Sequence, residues 1–214
     1  MAFLWAWLGD FMKVKSKYGD IMEVKTTGAS KETADADGHA RGYSGVTASE
    51  RMAEYDKDDI NNYIDIIREV GKEYEIAPAL ICGIISRETR GGRAIRKPSP
   101  PIVPKQGWGD YGRGFGLMQV DVDPNGGKHK RRGEWDSETH LEQATGILID
   151  FINKIKDKFP DCTEEQQLKG GIAAYNQGIG AIHSLCKRVD ENTTGKDYSN
   201  DVVARAQWYH NNLV

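Results

Sequence analysis

The sequence predicts a mainly α fold with a minor β part (α+β). One helical domain is expected, with a central buried helix and a small sheet or long loop region lining a cleft. Three observations carry this expectation. After residue 47, apolar residues recur at helical spacing over most of the chain. The run Pro78 to Ile85 is apolar almost all round, a pattern that suits a helix covered by others. Residues 91–136 break the helical rhythm with prolines and glycines. The 214 residues are enough for one sizeable domain and too few for two comfortable ones. With 38% hydrophobic and 29% charged residues, the composition excludes wholesale disorder.

The elements follow in order. Met1 to Leu8 are apolar and break at Gly9-Asp10. The run has no basic n-region and is far shorter than the roughly twenty residues a bilayer span needs. It reads as a short docking segment within an N-terminal extension, residues 1–17, ahead of a domain at 18–214, with no stable membrane insertion. Residues 24–46, rich in Gly, Thr, Asp and Ser, read as surface coil. Thr47-Ala48-Ser49-Glu50 has the capping-box pattern and should open a helix. Asp56 should cap the next, whose buried face is Ile60, Tyr63, Ile64, Ile67 and Tyr74.

Pro78 stands where a first helical residue belongs, and Gly91-Gly92 should stop the central helix after Ser86-Arg87-Glu88-Thr89. Pro98, Pro100, Pro101 and Pro104 forbid regular structure near 97–105. Leu141, Ala144, Leu148, Phe151, Ile155 and Phe159 mark a long amphipathic helix closed by Pro160. Thr163 with Gln166 is a second capping box, opening a helix to Tyr175. Short helices are expected near Ile182 and from about Asp201 to Tyr209.

Charge and cysteine narrow the function. A net charge of -3 provides no global positive field to gather nucleic acid. Attraction to a polyanion must be local, and the dense run Lys128-His129-Lys130-Arg131-Arg132 is the place for it. Cys82, Cys162 and Cys186 have neither a disulfide-framework nor a zinc spacing, so no metal site is expected. Cys82, inside an apolar run, should be a buried small residue.

Three carboxylates stand out. Glu88 ends a helix whose preceding turns are apolar, so desolvation and the negative helix end should both raise its pKa. A carboxyl protonated near neutral pH is what a general acid requires. Asp110, in Trp108-Gly109-Asp110-Tyr111-Gly112, and Asp121, ending Gly116-Leu117-Met118-Gln119-Val120-Asp121, lie in the glycine-rich segment. Trp108 and Tyr111 offer flat faces for sugar rings. A proton donor with a second carboxylate that activates water is the logic of glycoside hydrolysis. A turn role for each Asp, and an Arg-paired surface role for Glu88, are the plainer alternatives.

Five stretches together resemble the goose-type lysozymes, and more loosely the soluble lytic transglycosylases. They are Ile84-Ile85-Ser86-Arg87-Glu88, Trp108-Gly109-Asp110, Gly114-Phe115 through Asp121, Gln166 to Ile172 with Ala174-Tyr175-Asn176, and Asp197-Tyr198 with Asn200 to Gln207. The resemblance spans roughly residues 18–210. It implies a lysozyme-like fold and cleavage of the β-1,4 bond between N-acetylmuramic acid and N-acetylglucosamine in bacterial peptidoglycan. Glu88 would be the general acid, with Asp110 and Asp121 holding the attacking water. Gln119, His129, Phe151, Tyr175, Asn176 and Tyr198 would line the sugar cleft, although helix packing is the simpler role for Phe151.

The resemblance further implies no cofactor, a monomer, an extracellular antibacterial role and bacterial lysozyme-inhibitor proteins as partners. Lys17, Lys31, Ser44 and Glu75 stand where bird members carry disulfide cysteines, as in the fish branch. Two alternatives stay open: a lytic transglycosylase, for which one Glu suffices, and a wall-binding protein with a dead site.

Overall fold

The computed structural model describes residues 16–97, 105–185 and 188–213. Among them are seven α-helices: α1 (Lys31–Asp37), α2 (Gly45–Asn61), α3 (Ile64–Glu73), α4 (Pro78–Thr89), α5 (Glu138–Lys158), α6 (Glu164–Gln177) and α7 (Tyr198–Asn212). A three-stranded antiparallel sheet, β1 (Trp108–Gly109), β2 (Gly114–Phe115) and β3 (Val120–Asp121), interrupts them between α4 and α5. None of the described helices is long and apolar enough to cross a membrane. The apolar N-terminal run and the proline segment at 98–104 lie outside the described residues.

α4 is the central helix. Every residue from Pro78 to Ser86 is buried, and Pro78 opens it at the first turn. Its neighbours are α2, α3 and, over the longest crossing, α7. Gly83 permits that crossing, since a Cβ there would lie 2.8 Å from the Val202 carbonyl. α5 and α6 form a second pair, where Gly171 lies against Ile152. Ser137 caps α5, and Thr163 and Gln166 form the expected capping box on α6.

Five local expectations give way. Residues 31–37, expected as coil, are helical because Ser30 accepts from the Thr33 amide and Gly38 closes the turn in the left-handed region. α2 starts at Gly45, ahead of the Thr47 capping pattern, and Ser49 is buried, where it donates to Asp201 and accepts from the Ala29 amide. Asp56 caps nothing: it sits inside α2, bonded to Ser86 and Arg93. The helix break falls instead at Asn62–Tyr63. α4 ends with Arg90 itself in the left-handed region, before Gly91 and Gly92. Near Ile182 there is only a 3-10 turn, Ile179–Ala181.

A buried ionic cluster ties α2, α4 and α7 together. Arg205 is fully buried and reaches Asp201 through Nε and Nη2, both at 2.9 Å, and Ser86 Oγ at 2.9 Å. Burial would raise the Asp201 carboxyl, but Arg205 and Arg87 hold it down at about 2. Removing either arginine would leave the buried Asp201 carboxylate with one cation instead of two, a costly change for such clusters.

Candidate active site

The sheet register builds one wall of a groove. Trp108 pairs with Phe115 and Phe115 with Val120, so these three side chains share one face. That face is the apolar one: Phe115 and Val120 are buried, and the Trp108 and Phe115 rings meet edge-on at 5.0 Å. The opposite face carries Gly109, Gly114 and Asp121 in register. The two glycines leave room for the Gln119 side chain, whose Oε1 would lie 2.1 Å and 2.4 Å from a Cβ at Gly109 and Gly114. Gln119 Nε2 donates to the Gly116 carbonyl at 2.8 Å. Asp110 and Tyr111, between β1 and β2, and Gln119, between β2 and β3, all hold positive φ. Non-glycine residues there cost of order 1–3 kcal/mol each, and such strain gathers at functional sites.

α4 delivers Glu88 to the groove floor. Burial raises its carboxyl to about 7; nearby Asp110 pushes the same way, while the Tyr198 hydroxyl and Arg87 oppose it. The Tyr198 hydroxyl donates to Glu88 Oε1 from the first turn of α7. Arg87 does not pair with Glu88. It is held 3.1 Å from Asp197 and 2.6 Å from Asp201, and Arg90 turns away to Asp37. Glu88 therefore keeps a nearby cation without an ion pair to it.

Asp110 and Asp121 occupy the facing wall. Asp110 is exposed and 3.1 Å from Arg113. Asp121 accepts from the backbone amides of Asp123 at 2.9 Å and Gly127 at 2.7 Å, which fixes its carboxylate. Tyr175 donates to the Met118 carbonyl at 2.9 Å. Asn176 Oδ1 accepts from the Thr194 amide at 3.0 Å, leaving its NH2 donors to the groove.

Two cavities of about 550 and 360 Å³ share Gln119, Asp121, Tyr175 and Asn176, so they form one continuous groove. The first adds Glu88, Asp110 and Tyr198, and the second adds His129 and Phe151. All nine residues singled out from the sequence thus meet in one groove. Tyr198 is almost wholly buried beneath Glu88 rather than open to a ligand. Phe151 divides its ring between the groove and the α5–α6 core.

Arg87, Arg113, Asp123 and Thr194 also line the groove. Their positions follow from contacts across more than a hundred residues for Arg87 and Thr194, 2.9 Å apart, and carry no local signal. His140 is a further residue that periodicity concealed. Fully buried, with burial lowering its pKa to about 4, it accepts from the Met118 amide through Nε2 at 3.2 Å. Thr89 Oγ1 donates to the Leu117 carbonyl at 2.8 Å. Together with Tyr175 these bonds clamp the turn that carries Gln119. No group of three or more His, Cys, Asp or Glu among the described residues is arranged to hold a metal ion.

An open groove suits an extended polymer, and amide and tyrosine groups beside a protonatable carboxyl suit acetamido sugars. Lysozyme-type glycoside hydrolases are the class that this fold and groove define. The family model described as Lysozyme g matches residues 18–212. A lysozyme g of Epinephelus coioides is 55% identical over 198 residues, covering 90% of this chain and 96% of its own. Those of Takifugu rubripes and Struthio camelus are 52% and 48% identical, covering 92% and 95% of this chain and 98% and 92% of theirs. The chain belongs to the lysozyme g family and is a peptidoglycan-hydrolysing muramidase.

Proposed function

We propose that Glu88 is the general acid of this muramidase, and that cleavage proceeds by a single inverting displacement. The observation that carries the reading is the contrast between carboxyls. Glu88 is held near pKa 7 by burial on the groove floor, whereas Asp110 and Asp121 stand solvated on the facing wall. Two carboxyls whose environments push them apart divide into acid and base.

In the reaction, Glu88 gives its proton to the leaving glycosidic oxygen. Asp110 and Asp121 orient a water that attacks the anomeric carbon from the opposite face and loses its proton to a carboxylate. The backbone amides on Asp121 hold its carboxylate in place on the groove wall. Gln119, Asn176 and His129 present polar groups to the sugars; Tyr175 and Phe151 present ring faces. Tyr198 serves Glu88 directly by holding its orientation.

The first-formed reducing sugar is the α-anomer. Proton NMR of a digest, read before mutarotation, checks this: an initial β-anomer means retention, and a 1,6-anhydro end means internal attack. Single Asp110→Asn and Asp121→Asn variants lose less activity than Glu88→Gln, because the remaining Asp still holds the water. A groove lined by residues of one chain supports a monomeric active unit, and its openness suits bacterial inhibitor proteins that would plug it. Light scattering and titration with such an inhibitor test these two.

A further inference from the structure

The groove does not end at His129. The chain runs on through Lys130, Arg131 and Arg132 without regular secondary structure. This segment is nonetheless fixed. Lys128 donates its amide to the Asp123 carbonyl at 3.1 Å, and His129 donates to that of Asp121 at 3.2 Å. Further along, Gln143 of α5 takes the Arg132 amide on Oε1 at 2.9 Å and donates from Nε2 to the Lys130 carbonyl at 2.7 Å.

The pinned backbone sets its side chains in different surroundings. His129 faces the groove, and the Arg131 guanidinium lies 5.2 Å from the centre of the Phe115 ring. Lys128, Lys130 and Arg132 are exposed, and no carboxylate among the described residues lies within ion-pair distance of them. Some exposed cations elsewhere are paired: Lys17 with Glu75, Lys31 with Asp35, Arg113 with Asp110, Lys154 with Asp150. In a chain of net charge -3, this unpaired row of cations continues the wall of the substrate groove.

We propose that Lys128, Lys130 and Arg132 form a docking strip for a phosphodiester-linked anionic polymer attached to the wall, such as a polyol phosphate. This inference rests on the muramidase reading, which places the wall in the adjoining groove. Three exposed cations within five residues of a backbone pinned by Gln143 give a dense row of fixed positive charges. A polymer with a phosphate on every repeat can meet all three together, whereas an isolated carboxylate meets one. Ammonium and guanidinium groups are ordinary phosphate partners, and a row of them raises capture more than it alters chemistry. Arg131 takes no part, being committed to Phe115.

The test uses the triple variant Lys128→Gln/Lys130→Gln/Arg132→Gln and three substrates: walls bearing a polyol-phosphate polymer, the same walls stripped of phosphodiesters by hydrofluoric acid, and a neutral chitin oligomer. At about 10 mM salt, where the Debye length is about 30 Å, the variant should digest polymer-bearing walls about tenfold more slowly than the parent. At about 0.15 M salt the gap should narrow, and on stripped walls and chitin the two should match.

Co-sedimentation of the Glu88→Gln protein, with and without the triple change, measures docking apart from turnover. It should show the same dependence on the phosphate polymer even if Glu88 proves not to be the acid. Equal loss on all three substrates would mean the strip supports the fold. Loss on both wall preparations but not chitin would mean the contact is a stem-peptide carboxylate. No loss anywhere would mean an idle solvated row. Each of these overturns the proposal.

Discussion

Glu88 is where burial, charge and chemistry conflict. Its carboxyl is raised from 4.5 to about 7, chiefly by desolvation. A folded-state pKa above the unfolded one favours folding fully below the unfolded value, about 4.3. That contribution is lost as pH rises through 7. Glu88→Gln should therefore cut lysis by about 10²–10⁴-fold and raise stability at pH 8, on the order of 1–3 kcal/mol. Melting curves at pH 5 and pH 8 check the second half; a variant no more stable at pH 8 than the parent would contradict a buried, costly carboxylate.

Tyr198 modulates the same group. Its hydroxyl lowers the Glu88 pKa, so Tyr198→Phe should move the alkaline limb of the rate profile upward in pH. An unmoved or lowered limb would show that the hydroxyl does not govern the proton.

At the scale of elements, Glu88 and Tyr198 come from different helices, and their meeting depends on how closely α4 and α7 cross. Gly83 sets that distance. Gly83→Val places methyl groups against the Val202 carbonyl and Ala206, with overpacking of about 1–3 kcal/mol. The expected outcome is a lower midpoint in urea together with a fall in kcat, as Tyr198 is pushed from Glu88. A destabilised protein with unchanged kcat would place the critical spacing elsewhere. The sheet shows the same economy. Its strands are two residues long, yet their register gives an apolar face to the core and a bare face to the groove.

For the whole molecule, stability comes from packing and the buried ionic cluster. At two positions where bird relatives are expected to carry cysteines, Lys17 and Glu75 meet as an exposed ion pair at 2.6 Å. Exposed pairs contribute little, so the core must suffice. Cys82 is fully buried in α4, where desolvation raises its pKa and makes it inert. Three thiols should titrate in the denatured protein, fewer in the native one, and reductant should leave the melting temperature and activity unchanged. A reductant-dependent drop would reveal a bridge.

The sequence by itself determined where the central helix and the long helices around it lie, and that Glu88 stands at the central helix's end. Period, proline and capping patterns are local, and Pro78, Thr163 and Gln166 act within a turn of themselves. The glycine spacing of 107–116 likewise announced a tight, substrate-facing segment. Tertiary structure decided the rest. Asp56 has a capping residue's sequence but enters a helix because Ser86 and Arg93 receive its carboxylate. Arg87, one residue from Glu88, is drawn away by Asp197 and Asp201. Tyr198 reaches Glu88 across 110 positions of chain. Helix propensity is fixed by neighbours within about four residues, but a carboxyl's proton affinity is fixed by whatever the fold packs around it, and those groups come from anywhere in the chain.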